Sequence, residues 1–157
     1  MPSRKPNRHK SATVCRVRFS PLTGGPGETV RATPIARERL RLDEIPVMTD
    51  GISYHDLVQA SMGDPPGMHD FIKMIQKSGH RTLRFTTAAM HHRATKLPQL
   101  LARLVEAGCS HENKDQRFYA INVPPLVDIT AIGAMLTEAA VTWNYADPVQ
   151  PPPAATA

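Results

Sequence analysis

Cysteine is scarce in this chain. The two present among 157 residues, Cys15 and Cys109, are too few for a disulfide framework and lack the paired spacing of a zinc module. Their apolar neighbours suit small buried hydrophobes. Long apolar runs are missing too: none approaches the roughly 20 residues that a bilayer-spanning helix needs. The opening M-P-S-R-K-P-N-R-H-K has no apolar stretch of the kind a secretory signal carries, so a cytoplasmic protein is expected. Nor is there a phosphate-binding loop, because Thr23-Gly24-Gly25-Pro26-Gly27 is followed by neither a helix nor a lysine.

Acid is absent from the start of the chain. Arg4, Lys5, Arg8, Lys10, Arg16 and Arg18 all precede the first carboxylate, Glu28; removing those six from the net +5 leaves −1 for the rest. The basicity therefore belongs to an N-terminal arm, and the body is nearly neutral. Nucleic-acid binding usually draws on a clustered basic face, so that partner is possible but not favoured.

Residues 1–12 are polar and proline-broken and read as a disordered basic tail. Cys15, Val17 and Phe19 then alternate with Arg16 and Arg18, the period of a half-buried strand. Similar alternation marks strands at Val30–Ala32 and Leu40–Leu42. Runs at 57–60 and 71–75, separated by Gly63-Asp64-Pro65-Pro66-Gly67, add two more. Five short strands with turn signals between them predict a small bent β-sheet or partial barrel over 13–77. The stripe Arg31, Arg37, Arg39 and Arg41 reads as a solvated sheet face balanced by Glu38, Asp43 and Glu44.

Beyond Ser78 the pattern changes. Leu83 and Phe85 point to one side of a strand, Thr82, Arg84 and Thr86 to the other. Thr95 is a candidate helix cap. Leu97, Leu100, Leu101, Leu104 and Val105 mark one helical face, and Gly108 is placed to end it. Strands at 109–113 and 117–123 follow, then a helix capped by Asp128 carrying Ile129, Ile132, Leu136 and Ala139, then a strand through Val141, Trp143 and Tyr145. The order strand–helix–strand–strand–helix–strand predicts a ferredoxin-like βαββαβ unit over 78–147, with a disordered Pro/Ala tail at 148–157. The fold class expected is α+β. Both helices should cover one sheet face, burying Leu83, Phe85, Tyr119, Ile121 and Val123. The opposite face should present Thr82, Arg84, Phe118 and Asn122.

His80, at the Ser78-Gly79 corner, is the candidate centre of any chemistry. Either the corner is structural and the imidazole ties two sheets together, or His80 acts as an acid–base group. In the second case Asp56 or Glu112 would orient it, Ser78 would bond substrate and Arg84 would hold negative charge. Arg84 either pairs with a carboxylate or meets an anionic ligand. Cys109 follows a helix C-terminus, where the dipole disfavours a thiolate. His91-His92 and His111-Glu112 lack a recurring ligand spacing, so no metal and no cofactor are expected. Phe118 alone is too little for a base-stacking surface.

The segments R-L-D-E-I-P at Arg41–Pro46, H-D-L-V-Q-A at His55–Ala60, S-G-H-R-T-L-R-F at Ser78–Phe85, L-V-E-A-G-C-S-H-E at Leu104–Glu112 and I-N-V-P-P at Ile121–Pro125 together resemble the bacterial family catalogued as domain of unknown function 4265. His55 stands where that resemblance leads one to expect glycine, and Glu44 where asparagine is expected. The resemblance implies no activity. The function expected from the residues is a small binding or regulatory module. Its small anion or protein partner would sit at the seam between the sheets, near Ser78, His80, Thr82, Arg84, Phe118 and Asn122. The alternatives are a small acid–base enzyme centred on His80, and a nucleic-acid-associated protein using its basic arm; no membrane partner is expected.

Overall fold

The computed structural model describes residues 14–21 and 27–149. Five strands form the first sheet: β1 (Cys15–Phe19), β2 (Glu28–Ala36), β3 (Arg39–Leu42), β4 (Leu57–Met62) and β5 (Met68–Gln76). Neighbours from β1 to β5 are antiparallel, and β1 returns to pair in parallel with β5, so the sheet is a closed barrel rather than a partial one. Closure removes both edges of a short sheet. Inward-facing Val17, Val30, Leu40, Leu42 and Val58 fill it, as the alternation requires. Pro34 is accommodated in β2 beside a register shift between Pro34 and Ala36, where a missing N–H costs least.

The second half runs β6 (Arg81–Thr86), α1 (Arg93–Glu106), β7 (Ser110–Lys114), β8 (Phe118–Val123), α2 (Ile129–Glu138) and β9 (Thr142–Asp147). Its strands lie in the order β7-β8-β6-β9, every neighbouring pair antiparallel. Leu97, Leu100 and Leu104 of α1 and Ile129, Ile132 and Leu136 of α2 share one core with Leu83, Phe85, Tyr119, Ile121 and Val123. The buried face of α1 is narrower than its leucine pattern suggests, since Val105 is 56% exposed.

The helix ends follow local chemistry. Asp128 accepts the Thr130 amide at 2.9 Å, as an N-cap should. Gly108, at φ +98, closes α1 with the Cys109 amide on the Leu104 carbonyl and its own amide on that of Val105, both at 3.0 Å. Thr95 does not cap α1. The helix starts two residues earlier, its N-cap is His92 in the left-handed region, and no side chain caps it; Thr95 instead gives its amide to the His92 carbonyl at 3.1 Å.

The other face of the four-stranded sheet is roofed by the segment joining β3 to β4. Ile45 and Val47 pack on Ala120 with Tyr54 beside them, and the Gly51 amide bonds the Ala146 carbonyl at 2.7 Å. Glu28, at the start of β2, clamps this roof: its carboxylate accepts the amides of Val47, Met48 and Thr49 at 2.6, 3.0 and 2.9 Å and the Thr49 hydroxyl at 2.8 Å. Bonds to an ionised acceptor are worth more than neutral ones. Glu28→Ala is therefore expected to cost about 1–3 kcal/mol and to speed amide exchange at 47–49 selectively. Urea unfolding and hydrogen exchange check both effects.

Candidate functional site

Residues 77–80 connect β5 to β6 and place the site. Gly79 sits at φ +92, and a Cβ there would meet Pro125 Cγ at 3.2 Å, so both backbone and space call for glycine. Ser78 locks the corner. Its hydroxyl accepts the His80 amide at 3.1 Å and donates to the Tyr54 carbonyl at 2.7 Å, while its amide bonds Asp56 Oδ1 at 2.8 Å.

His80 is thereby aimed at the sheet. Its Nδ1 meets Asn122 Oδ1 at 2.8 Å, and Asn122 Nδ2 donates to Ser110 Oγ at 3.2 Å. With the amide oxygen facing the ring, Nδ1 is the donor to Asn122, which in the neutral tautomer leaves the acceptor lone pair on Nε2. Two further rings surround it. Tyr54 stands edge-on to His80 at 5.3 Å and stacks on His55 at 3.8 Å, and the His55 and His80 rings are 5.7 Å apart at 78°. His55 occupies the left-handed region at φ 64, where glycine would be unstrained and where strained side chains often mark function.

Burial lowers the His55 pKa, and the charges of Arg41 and of His80 push the same way, while Asp43 opposes them. The unfolded chain protonates this residue near the ordinary value of about 6.5; the folded chain does so only at lower pH. Between those points the unfolded state binds more protons, so stability falls as pH drops below the ordinary value. His55→Asn, compatible with the left-handed backbone, is expected to flatten that fall. Thermal unfolding from pH 7.5 to 5 compares the two proteins.

Beneath the corner lies a second cluster. Asp56 is wholly buried and accepts from the Ser53 amide at 2.8 Å, from Lys77 Nζ at 2.6 Å and from the Ser78 amide. Lys77 also holds Asp147. Ser53 Oγ donates to Asp147 Oδ2 at 2.6 Å and lies 2.8 Å from Thr82 Oγ1. This network bolts β5, β6, β9 and the roof together.

The acid–base arrangement expected from sequence is not assembled. Asp56 spends its oxygens on Ser53, Lys77 and Ser78, and neither it nor Glu112 hydrogen-bonds His80; Glu112 lies opposite Ala120 on the edge strand β7. Arg84 pairs with Asp50 at 2.9 Å and with the Thr49 carbonyl at 3.3 Å, leaving its side chain 15% exposed. Thr82 and Asn122 are buried, so they support the site rather than face a ligand. Phe118 pairs with Thr86 at the far end of the same strands, away from His80. Cys109 is buried, which pushes its thiol up to about 11 despite Arg81 nearby, as a structural cysteine requires. The basic arm before Val14 and the tail from 150 lie outside the described residues.

Sequence reasoning missed Tyr54, Ser53, Lys77 and Asp147 and noticed His55 only as a departure from glycine. A signal existed in S-Y-H-D, a ring pair before a buried aspartate, but nothing local ties it to His80.

A closed five-stranded barrel followed by an antiparallel sheet carrying two helices defines a mixed α+β protein. The chain belongs to the family described as Domain of unknown function (DUF4265), whose model matches residues 28–145. No curated protein matches it. It is similar to a hypothetical protein from Neisseria gonorrhoeae seen in a crystal structure, with 17% identity and a TM-score of 0.68 over 85% of this chain and 93% of that one. That likeness concerns the fold alone. No helix among the described residues is long and apolar enough to cross a membrane.

Proposed function

We propose that the protein is a non-catalytic binding or regulatory module whose occupant meets it at the lip of the seam, on His80 with Tyr54 and His55 beside it. The observation that carries this reading is the His80 side chain itself. Asn122 fixes it through Nδ1 at 2.8 Å, Nε2 has no hydrogen-bond partner among the described residues, and no carboxylate is bonded to it to make a base. Fixed orientation with an unspent acceptor suits recognition better than proton transfer. A small anionic molecule that also carries an N–H or O–H donor for Nε2, or an extended segment of a protein partner, fits the mixed polar and aromatic lip.

The strand order β7-β8-β6-β9 with both helices on one face supports reading 78–147 as a ferredoxin-like subdomain. The separate barrel core supports 13–77 as a β subdomain. A cytoplasmic setting belongs to the same reading and is supported by the scarcity of cysteine.

A thermal-shift screen of nucleotides, amino acids and acidic metabolites, run both with and without a metal chelator, tests the small-molecule form. The expected result is a stabilising compound whose shift disappears in His80→Ala. If every compound fails on the wild-type protein, that form is lost; if co-purification yields no partner released by the same variant, the protein-partner form goes with it.

A further inference from the structure

We infer that His55 and His80 form a two-imidazole site for a borderline divalent transition metal of the zinc class. The inference rests on the reading that the His80 lip receives an occupant, and it names one. Among the described residues no three His, Cys, Asp or Glu side chains converge on one point. The protein therefore supplies two ligands, and water or the anionic group of a bound molecule completes the coordination.

Three observations lead there. The first is spacing. A zinc-type ion about 2 Å from a ring nitrogen lies about 3 Å from the ring centre, so two imidazoles sharing one ion stand roughly 5–6 Å apart; these stand 5.7 Å apart at 78°, unstacked. The second is the support behind His80. Its Nδ1 proton is committed to the Asn122 oxygen, itself anchored by Ser110, and a carbonyl on the far nitrogen is what orients a metal-binding histidine and raises its basicity. The third is conformation. His55 keeps a left-handed backbone, with its ring held against Tyr54 at 3.8 Å, which limits the freedom of the second ligand. Arg41, whose charge opposes a cation, is itself paired with Asp43 at 3.1 Å.

The choice of metal follows from the ligands. Imidazole nitrogen suits zinc, nickel and copper, whereas calcium and magnesium seek oxygen. No reaction is assigned to the ion; it anchors a ligand.

Zinc chloride titrated into the full chain, followed by imidazole proton–nitrogen NMR and calorimetry, is the test. The expected result is a saturable site that shifts the His55 and His80 ring signals together in the wild-type protein, so the central readout needs no variant. His55→Asn and His80→Ala should each remove that site, and Asn122→Ala, which takes away the carbonyl behind His80, should weaken it by about tenfold or more. A His91→Ala/His92→Ala double variant should bind as the wild type does. Zinc that shifts neither ring, or affinity that survives both single variants and vanishes in the double one, overturns the inference. If zinc fails while a compound from the chelated screen still binds through His80, the metal is wrong and the binding lip stands. If zinc binds both rings and no compound or partner does, the lip is a metal site only.

Discussion

Asp56→Ala is expected to lower the free energy of unfolding by about 3–5 kcal/mol, a large share of the 5–15 or so available to a domain. Asp56 has no exposed surface and receives the amides of Ser53 and Ser78 and the ammonium of Lys77. Removing it strands the buried Ser53 amide and the partly buried Ser78 amide, and leaves Lys77 with Asp147 and the Gly51 carbonyl. Lys77→Met should cost clearly less, because the Lys77 side chain is 43% exposed and solvent already screens part of its charge, while the two amides still satisfy Asp56. Urea unfolding of both variants gives the comparison. A lysine variant as damaging as the aspartate variant would mean that charge, not amide satisfaction, holds the corner.

The second large effect lies on the opposite side of the sheet. Phe85→Ala is expected to cost about 3–5 kcal/mol, the range for deleting a buried phenylalanine and leaving its cavity. Phe85 is 1% exposed, lies parallel to Tyr119 at 5.0 Å and sits in the core that both helices complete. The urea midpoint should fall with the slope unchanged, and Phe85→Leu should recover most of the loss. A cost below about 2 kcal/mol would mean that the helices settle into the gap, contrary to a close-packed interior.

The second half of the chain was readable because its information is local. The period of Leu97, Leu100 and Leu104, the Asp128 cap, the Gly108 terminus and the alternation at Leu83 and Phe85 each act within a few residues. The barrel's strands were equally readable; its closure was not, since β1 and β5 meet across more than fifty residues and their pairing leaves no mark in either strand. Thr95 misled because a threonine before an apolar face looks like a cap, whereas His92 takes that place through backbone conformation alone. At the site, sequence pointed to His80 and to the Ser78-Gly79 corner but mispaired them. Asp56 and Glu112 suggested themselves as carboxylates able to orient an imidazole, whereas the fold gives His80 the neutral amide of Asn122. Ser53 and Asp147 meet across 94 residues, beyond the reach of any motif.

The roof over 43–56 has a practical consequence for anyone dividing the gene. A fragment starting at Ser78 would retain every strand and helix of the four-stranded sheet, yet Ala120, Thr82 and Asn122, all buried in the intact chain, would meet solvent. Bare sheet surface of that kind invites self-association. The natural unit for expression, crystallisation or fusion is thus the barrel and sheet together, with any cut placed ahead of β1, whose pairing with β5 closes the barrel.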